Sequence, residues 1–421
     1  MRPLLLTALA LCVLSVACPS ADAAYPPITY RYRHFLFTID PDAHPEWQTP
    51  EEVWLYRGAP VRPPAELRVD GDEIPPLPPG MIRSQRVAWN AEAIRATIAA
   101  EIAAKFDRPA RNVVIRRAAS GSIVFDGVGL PGRRVDLALA AALTVEAIER
   151  GGAEVVLPVI ELPAEVTVDD AELSALGIRE VVTVGESNYT GSPEARKHNI
   201  AVGLSKFNGH IILAGETFSF NEVLGDVNAS TGYRKELVIL GDQTLPDYGG
   251  GLCQVSTTAY RGAWEYGLPI TQRRNHSYAV SYYSPQGTDA TIYPPHTDMQ
   301  FTNDSPAALL LQTYAEDNRA YFIYYGTRDA RASEIIGPFT WGYTAPPADR
   351  TEYTTDIAAG TRRKVGDKHP GMKTLWFRSL TSPSGEERLE SVFSGYEARP
   401  LFYQIGIDAE ADVPDWFDAT E

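Results

Sequence analysis

Cys253 lies in the run Gly249-Gly250-Gly251-Leu252-Cys253-Gln254-Val255-Ser256-Thr257, with His276 and Asp289 downstream. Those three residue types, in that order, can perform nucleophilic chemistry. A thiol in the first turn of a helix is pushed toward thiolate, the reactive form, by the helix dipole and the free first-turn N–H groups. An imidazole can take the thiol proton and return it to a leaving amine, and a carboxylate can orient the imidazole and stabilise its cation. The expected catalytic group is therefore Cys253, His276 and Asp289. The backbone N–H of Cys253 and a donor such as Gln254 are the expected oxyanion stabilisers. Gly250 and Gly251 leave room for a substrate backbone, because no Cβ stands in the way. Arg196 suits bidentate recognition of a carboxylate, and Asn221 is a second polar candidate on the substrate side. Each residue also has a plainer reading. A lone cysteine at a helix start is often a small buried residue, Arg196 can serve a structural salt bridge, and Asp289 follows a turn glycine. Cys253, His276 and Asp289 also match the ligand types of zinc, but no CxxC or HExxH spacing accompanies them, so neither metal nor other cofactor is expected.

Several elements must bring these groups together. Leu252, Val255, Ala259, Ala263 and Tyr266 recur at three and four, which predicts a helix from Leu252, stopped at Gly267 with Pro269 beyond. Tyr278 to Tyr283 reads as a strand opened by His276, Pro285-Gln286-Gly287 as a turn, and Asp289 to Ile292 as a second strand. A hairpin of this kind would set His276 beside Asp289, with the helix N-terminus docked against them. The order of Cys on a helix start, His on one strand and Asp on the next is similar to that of transglutaminase-like and papain-like cysteine enzymes.

Upstream, Ile178 to Val184 is a strand candidate and Arg196 to Phe207 a helix. Leu213-Ala214-Gly215-Glu216-Thr217-Phe218-Ser219-Phe220-Asn221, Leu224-Gly225 and Gly232-Tyr233 precede the glycine–cysteine run. Asn275-His276-Ser277, Gly287-Thr288-Asp289-Ala290-Thr291 and Asp298-Met299-Gln300-Phe301-Thr302-Asn303 follow it. In this order the segments resemble the VanW family, named for a protein of vancomycin-resistance gene clusters. The resemblance implies association with the bacterial envelope. The run from Trp89 through Gly129 and Val135-Asp136 to Val156-Leu157-Pro158 resembles a peptidoglycan-binding domain; a spacer with no ligand is the alternative. The tail, with Gly360, Gly366, Gly371, Gly385 and Gly395 between strand candidates, is similar to a small glycine-marked β module that often follows VanW domains.

The expected architecture is multidomain α+β. It comprises a signal peptide (1–23), a Pro-rich segment (24–83), a small α+β domain (84–180), a transglutaminase- or papain-like α+β core (181–330), a β-rich module (331–407) and an acidic tail (408–421). The basic start, the apolar run Leu4 to Ala17 and Ala21-Asp22-Ala23 make an export signal; lipidation of Cys18 is the rival processing. Cleavage after Ala23 would leave Cys253 as the one thiol, so no internal disulfide can form. A net charge of −16 argues against nucleic acid as a general partner, and no later stretch approaches the ~20 apolar residues of a membrane span. An exported protein of the periplasm or cell surface is expected, with peptidoglycan or its stem peptides as partner. Its function is expected to be either cysteine-dependent acyl transfer or non-catalytic binding.

Overall fold

The computed structural model describes residues 25–62, 79–240 and 243–408. The expected signal peptide, with Cys12 and Cys18, and nearly all of the acidic tail lie outside the described residues. Strand content (44%) is twice the helix content (22%) and is spread over several small sheets, giving a multidomain, β-rich α+β protein.

The chain divides into two compact units: residues up to 31, 37–105 and 135–158 form one; residues 32–36, 106–134 and everything from 159 onward form the other. The stretch 84–180 is therefore shared between them. In the first unit, Ala91–Ile98 and Leu137–Glu149 are helices. Asn90 caps one through its side-chain oxygen, which accepts from Glu92 N and Ala93 N at 3.1 Å. Asp136 caps the other by accepting from Leu139 N at 3.1 Å. Ile94, Ile98, Ile102, Ala140 and Ala141 fill the core with Ile28 and Tyr30, the latter on a strand running parallel to Glu154–Val156. The Pro-rich segment contains an antiparallel pair, Gln48–Tyr56 with Met81–Trp89.

The second unit is built on an antiparallel sheet in the order Glu180–Asn188, Arg319–Gly326, Leu309–Glu316, Ile211–Ile212. Period-two alternation sends Phe322 and Tyr324 into one core and Tyr321, Ile323 and Tyr325 into another, so the strand is buried on both faces. The second core is completed by Val113, Ile115 and Leu130 of the neighbouring sheet. The first core holds helices Glu194–Phe207 and Leu252–Tyr266.

Helix Leu252–Tyr266 lies unusually close to the sheet. A Cβ on Gly185 would come within 1.9 Å of the Thr258 carbonyl oxygen, and one on Gly262 within 2.7 Å of Gly185 N. Glycine facing glycine lets backbone meet backbone. Polar bonds then fix the register: Thr183 Oγ1 donates to Gly262 O (3.1 Å), Tyr324 OH to Ala259 O (2.8 Å), and the Ser187 and Thr258 hydroxyls pair at 2.6 Å. The helix start carrying Cys253 is thus fixed in height and rotation relative to the sheet.

The C-terminal part holds two three-stranded sheets. One runs Ala332–Thr344, Gly371–Thr381, Glu387–Tyr396, all antiparallel. The other has Phe402–Gly406 between Arg350–Thr354, parallel to it, and Arg362–Gly366, antiparallel. Among the described residues no helix is long and apolar enough to cross a membrane.

Candidate functional site

Cys253 is the second residue of helix Leu252–Tyr266, as its spacing foretold. Gly251 is the N-cap, at φ 114°, a left-handed conformation that side chains rarely adopt, and its hypothetical Cβ would lie 3.0 Å from Arg196 Cγ. Gly250 packs against the strand Lys235–Leu240, where a Cβ would meet Leu237 O at 2.7 Å. Both glycines line the cleft beside Cys253, but the close approach they permit is first of all to the protein's own backbone. Leu252 N–H and Gln254 N–H donate to the Gly249 and Gly251 carbonyls at 2.9 Å. Among the described residues no acceptor takes the Cys253 N–H, which stays available in the first turn.

His276 and Asp289 converge on this helix start, but not on a hairpin. Tyr278 to Tyr283 forms no strand: it is irregular apart from a 3-10 turn at Ser281–Tyr283, and Asp289 to Ile292 is an ordered loop. The loop's polar backbone is matched by helix side chains instead of a strand partner. Thr257 Oγ1 accepts from Ala290 N at 3.0 Å, and Ser256 Oγ donates to Ala290 O at 2.6 Å.

Asp289 is 1% exposed and His276 4%. The Asp289 Oδ2 accepts from His276 Nδ1–H at 2.6 Å and from His276 N–H at 2.8 Å. Its Oδ1 accepts from Tyr396 OH at 2.5 Å and Arg273 Nη2 at 3.2 Å. With Nδ1 held by Asp289, the imidazole borders the same cleft as Cys253 and acts on its thiol electrostatically. The Tyr283 ring stacks on the imidazole at 4.5 Å. The Cys253 sulfur is 3.5 Å from Thr291 Oγ1 and 3.7 Å from Ile292 O.

The electrostatics agree with the geometry. Burial pushes the Cys253 thiol up, but the hydrogen bond and charge of His276, with help from Thr291, outweigh it and bring the thiol below its ordinary value. Burial would lower His276, yet the bonds to Asp289 and Cys253 raise it to about 9. Asp289 is opposed by burial and held far below the usual carboxylate range, chiefly by His276 and then Arg273. The direction in all three is toward a thiolate beside an imidazolium and a carboxylate. Asp289 binds His276, Arg273 and Tyr396 and does not join a chelating shell; among the described residues no group of His, Cys, Asp and Glu is arranged to hold a metal ion.

The sulfur opens into a cleft of about 1170 Å³. Its walls include Leu237 of the hairpin Lys235–Tyr248, Tyr278 and Tyr282 of the irregular segment, Tyr293, Lys364 of strand Arg362–Gly366, and His369 just beyond that strand. Arg196 also lines it. The guanidinium donates to Ser192 Oγ (2.6 Å) and Gln254 Oε1 (2.9 Å) and lies 4.0 Å from the Tyr282 ring centroid. Gln254 is wholly buried, its side chain held by Arg196 and donating to Asn188 O at 3.3 Å. It thus supports Arg196 from behind and points no donor at the sulfur. Asn221 is not brought to the cleft: its amide donates to Thr297 O at 2.8 Å, and its N–H to Asp298 Oδ1 at 2.9 Å. Two residues around the site escaped the sequence reading. Arg273 had a faint signal, adjacency to Asn275-His276; Tyr396 had none.

In this α+β protein a thiol and an imidazole line one cleft, with a carboxylate buried behind the imidazole, and part of the chain resembles the VanW family. Residues 195–325 match the family model described as VanW like protein. Over 124 residues the chain is 34% identical to the uncharacterized protein YoaR of Bacillus subtilis (strain 168), covering 30% of this chain and 41% of that protein. Over 177 residues it is 27% identical to the vancomycin B-type resistance protein VanW of Enterococcus faecalis (strain ATCC 700802 / V583), covering 40% of this chain and 64% of that protein. The match spans less than two thirds of either relative's length. All three candidate catalytic residues fall inside the matched region.

Proposed function

We propose that this is an exported cell-envelope protein that performs cysteine-dependent acyl transfer on cell-wall peptides, using Cys253 as nucleophile, His276 as acid and base, and Asp289 as its orienting partner. The observation that carries the reading is the buried Asp289–His276 hydrogen bond, with the imidazole lining the same cleft as a half-buried thiol at a helix start. The thiolate attacks an amide carbonyl, and the developing oxyanion is met by the Cys253 N–H. The tetrahedral intermediate collapses to a thioester while imidazolium gives its proton to the leaving amine. Water or an amine then attacks the thioester, returning the thiol and completing hydrolysis or transpeptidation. This sequence is the logic of the transglutaminase-like and papain-like enzymes.

The similarity to the vancomycin B-type resistance protein of Enterococcus faecalis favours a role in the cell envelope. Arg196 lines the cleft, and its proposed role is to receive a peptide carboxylate. Residues 84–180 and the C-terminal sheets are proposed as cell-wall contacts, and the segment 1–23 as the export signal. The second reading, non-catalytic peptidoglycan binding, draws on the breadth of the cleft and its tyrosine walls. Purified muropeptides incubated with wild type and with Cys253→Ser, followed by mass spectrometry, decide between the two. Products made by wild type alone support acyl transfer. Retention of muropeptides by both proteins, with no new masses, sinks it in favour of binding.

A further inference from the structure

The C-terminal sheets grip both loops that carry the His276–Asp289 pair. Tyr396, the last residue of strand Glu387–Tyr396, donates its OH to Asp289 Oδ1 at 2.5 Å and accepts from Gly287 N–H at 2.7 Å. On the histidine side, Asn275 Nδ2 donates to Gly395 O at 2.8 Å and Glu397 N–H to Ser277 O at 2.7 Å. On the aspartate side, Trp376 Nε1 donates to Gln286 O at 2.8 Å. Arg273 joins both: Nη2 donates to Asp289 Oδ1 and Nη1 to Ser394 Oγ at 2.9 Å.

We propose that the C-terminal β module is a working part of the site and that Tyr396 is a positioning residue, holding Asp289 in the orientation from which it binds His276 and so keeps Cys253 reactive. The inference rests on the Cys253–His276–Asp289 reading and extends it to the C-terminal module. The physical case is simple. Asp289 sits in a loop, without strand neighbours to fix its χ angles, and is almost wholly buried. A carboxylate there needs donors on both oxygens. His276 supplies both donors to Oδ2, and Oδ1 depends on Tyr396 and the longer Arg273 bond. Burial, and next the Asp289 charge, raise the Tyr396 phenol well above its ordinary value, so it remains a donor.

Other charged and titratable groups face this cluster. Tyr260 and Arg261 approach from the nucleophile helix, Arg273 from the loop before His276, Tyr283 from the stacked turn, and Arg196 from the neighbouring helix. Tyr396→Phe leaves all of them in place and removes one hydroxyl.

The test is the pH profile of Cys253 alkylation by iodoacetamide in the full chain, which needs no substrate. Tyr403→Phe, in the same module with its ring under Arg362, controls for the loss of a tyrosine hydroxyl as such. In Tyr396→Phe the acid limb should move toward that of a free thiol, slowing alkylation about three- to ten-fold near about pH 6 while leaving the rate near about pH 10 within about two-fold. Tyr403→Phe should follow wild type. A Tyr396→Phe profile superimposable on wild type overturns the inference and leaves the catalytic reading standing. An equal slowing at every pH, or the same shift in Tyr403→Phe, also overturns it, since either marks general loosening. A wild-type profile already like that of a free thiol overturns the inference and the catalytic reading together.

Discussion

At the residue scale the decisive fact is how Asp289 distributes its two oxygens. Oδ2 takes both hydrogen bonds from His276, fixing the tautomer and the ring plane. Replacing Asp289 with Asn keeps the shape but offers His276 Nδ1 an amide whose flip can present N–H in place of oxygen. Turnover of a cell-wall peptide by Asp289→Asn should fall on the order of 10²–10⁴-fold with little change in binding, measured as initial rates against substrate concentration. Wild-type-like turnover would remove Asp289 from the mechanism. The same contacts give pH signs. His276 is raised, so the stability it contributes is complete below its unfolded value and is lost as pH rises through about 9. Asp289 is depressed, so its contribution is present above its unfolded value and is lost as pH falls toward the folded one. Activity, which needs thiolate and imidazolium together, should plateau between the lowered thiol value and about 9.

At the element scale, the helix Leu252–Tyr266 is placed by glycine contact with the strand Glu180–Asn188. Gly185→Ala would drive a Cβ to within 1.9 Å of Thr258 O. Because the obstacle is backbone in the middle of a helix, the helix as a whole must shift. A loss of about 1–3 kcal/mol is expected, read from denaturant midpoints, together with a disproportionate loss of Cys253 alkylation as the helix start leaves His276. Full thiol reactivity in a destabilised Gly185→Ala would show that the helix start is held by other contacts. The helix itself was legible in the sequence, bounded by Gly251 and by Gly267 at φ 100°, because period and caps are local. The hairpin expected for His276 and Asp289 was not what formed: Ala290 bonds to Ser256 and Thr257 of a distant helix, and local propensity carries no record of such partners.

At the scale of the whole molecule, the second unit is held by a buried charge cluster. Glu186 is 3% exposed and accepts from Arg108 Nη1 at 2.5 Å, Arg133 Nη1 at 2.8 Å and Arg319 Nη1 at 2.7 Å. It thereby ties the segment 106–134 to two strands of the central sheet. Burial opposes its ionisation, but Arg133 and Arg108, then Arg319, hold it far below the ordinary glutamate range. Glu186→Gln leaves three guanidinium groups facing a neutral amide and should cost about 3–5 kcal/mol, seen in thermal or urea unfolding. Since the carboxylate is depressed, its contribution is present at neutral pH and lost on acidification, so the variant's deficit should shrink as pH falls through the acid range. A deficit independent of pH would mean that packing, not charge, holds the segment.

The sequence alone determined what is written in short-range pattern: helix Leu252–Tyr266 with its thiol in the first turn, and the β-rich tail. It also carried the VanW-like order of motifs, since that order is linear. Only the tertiary structure decided the rest. It turned Gln254 into a buried support for Arg196, kept Asn221 away from the cleft, and brought Tyr396 to Asp289 across 107 positions of chain. Each of those outcomes depends on which buried polar atom finds a partner. That is settled when distant segments meet, because a donor or acceptor removed from water must bond to whatever the fold has placed beside it.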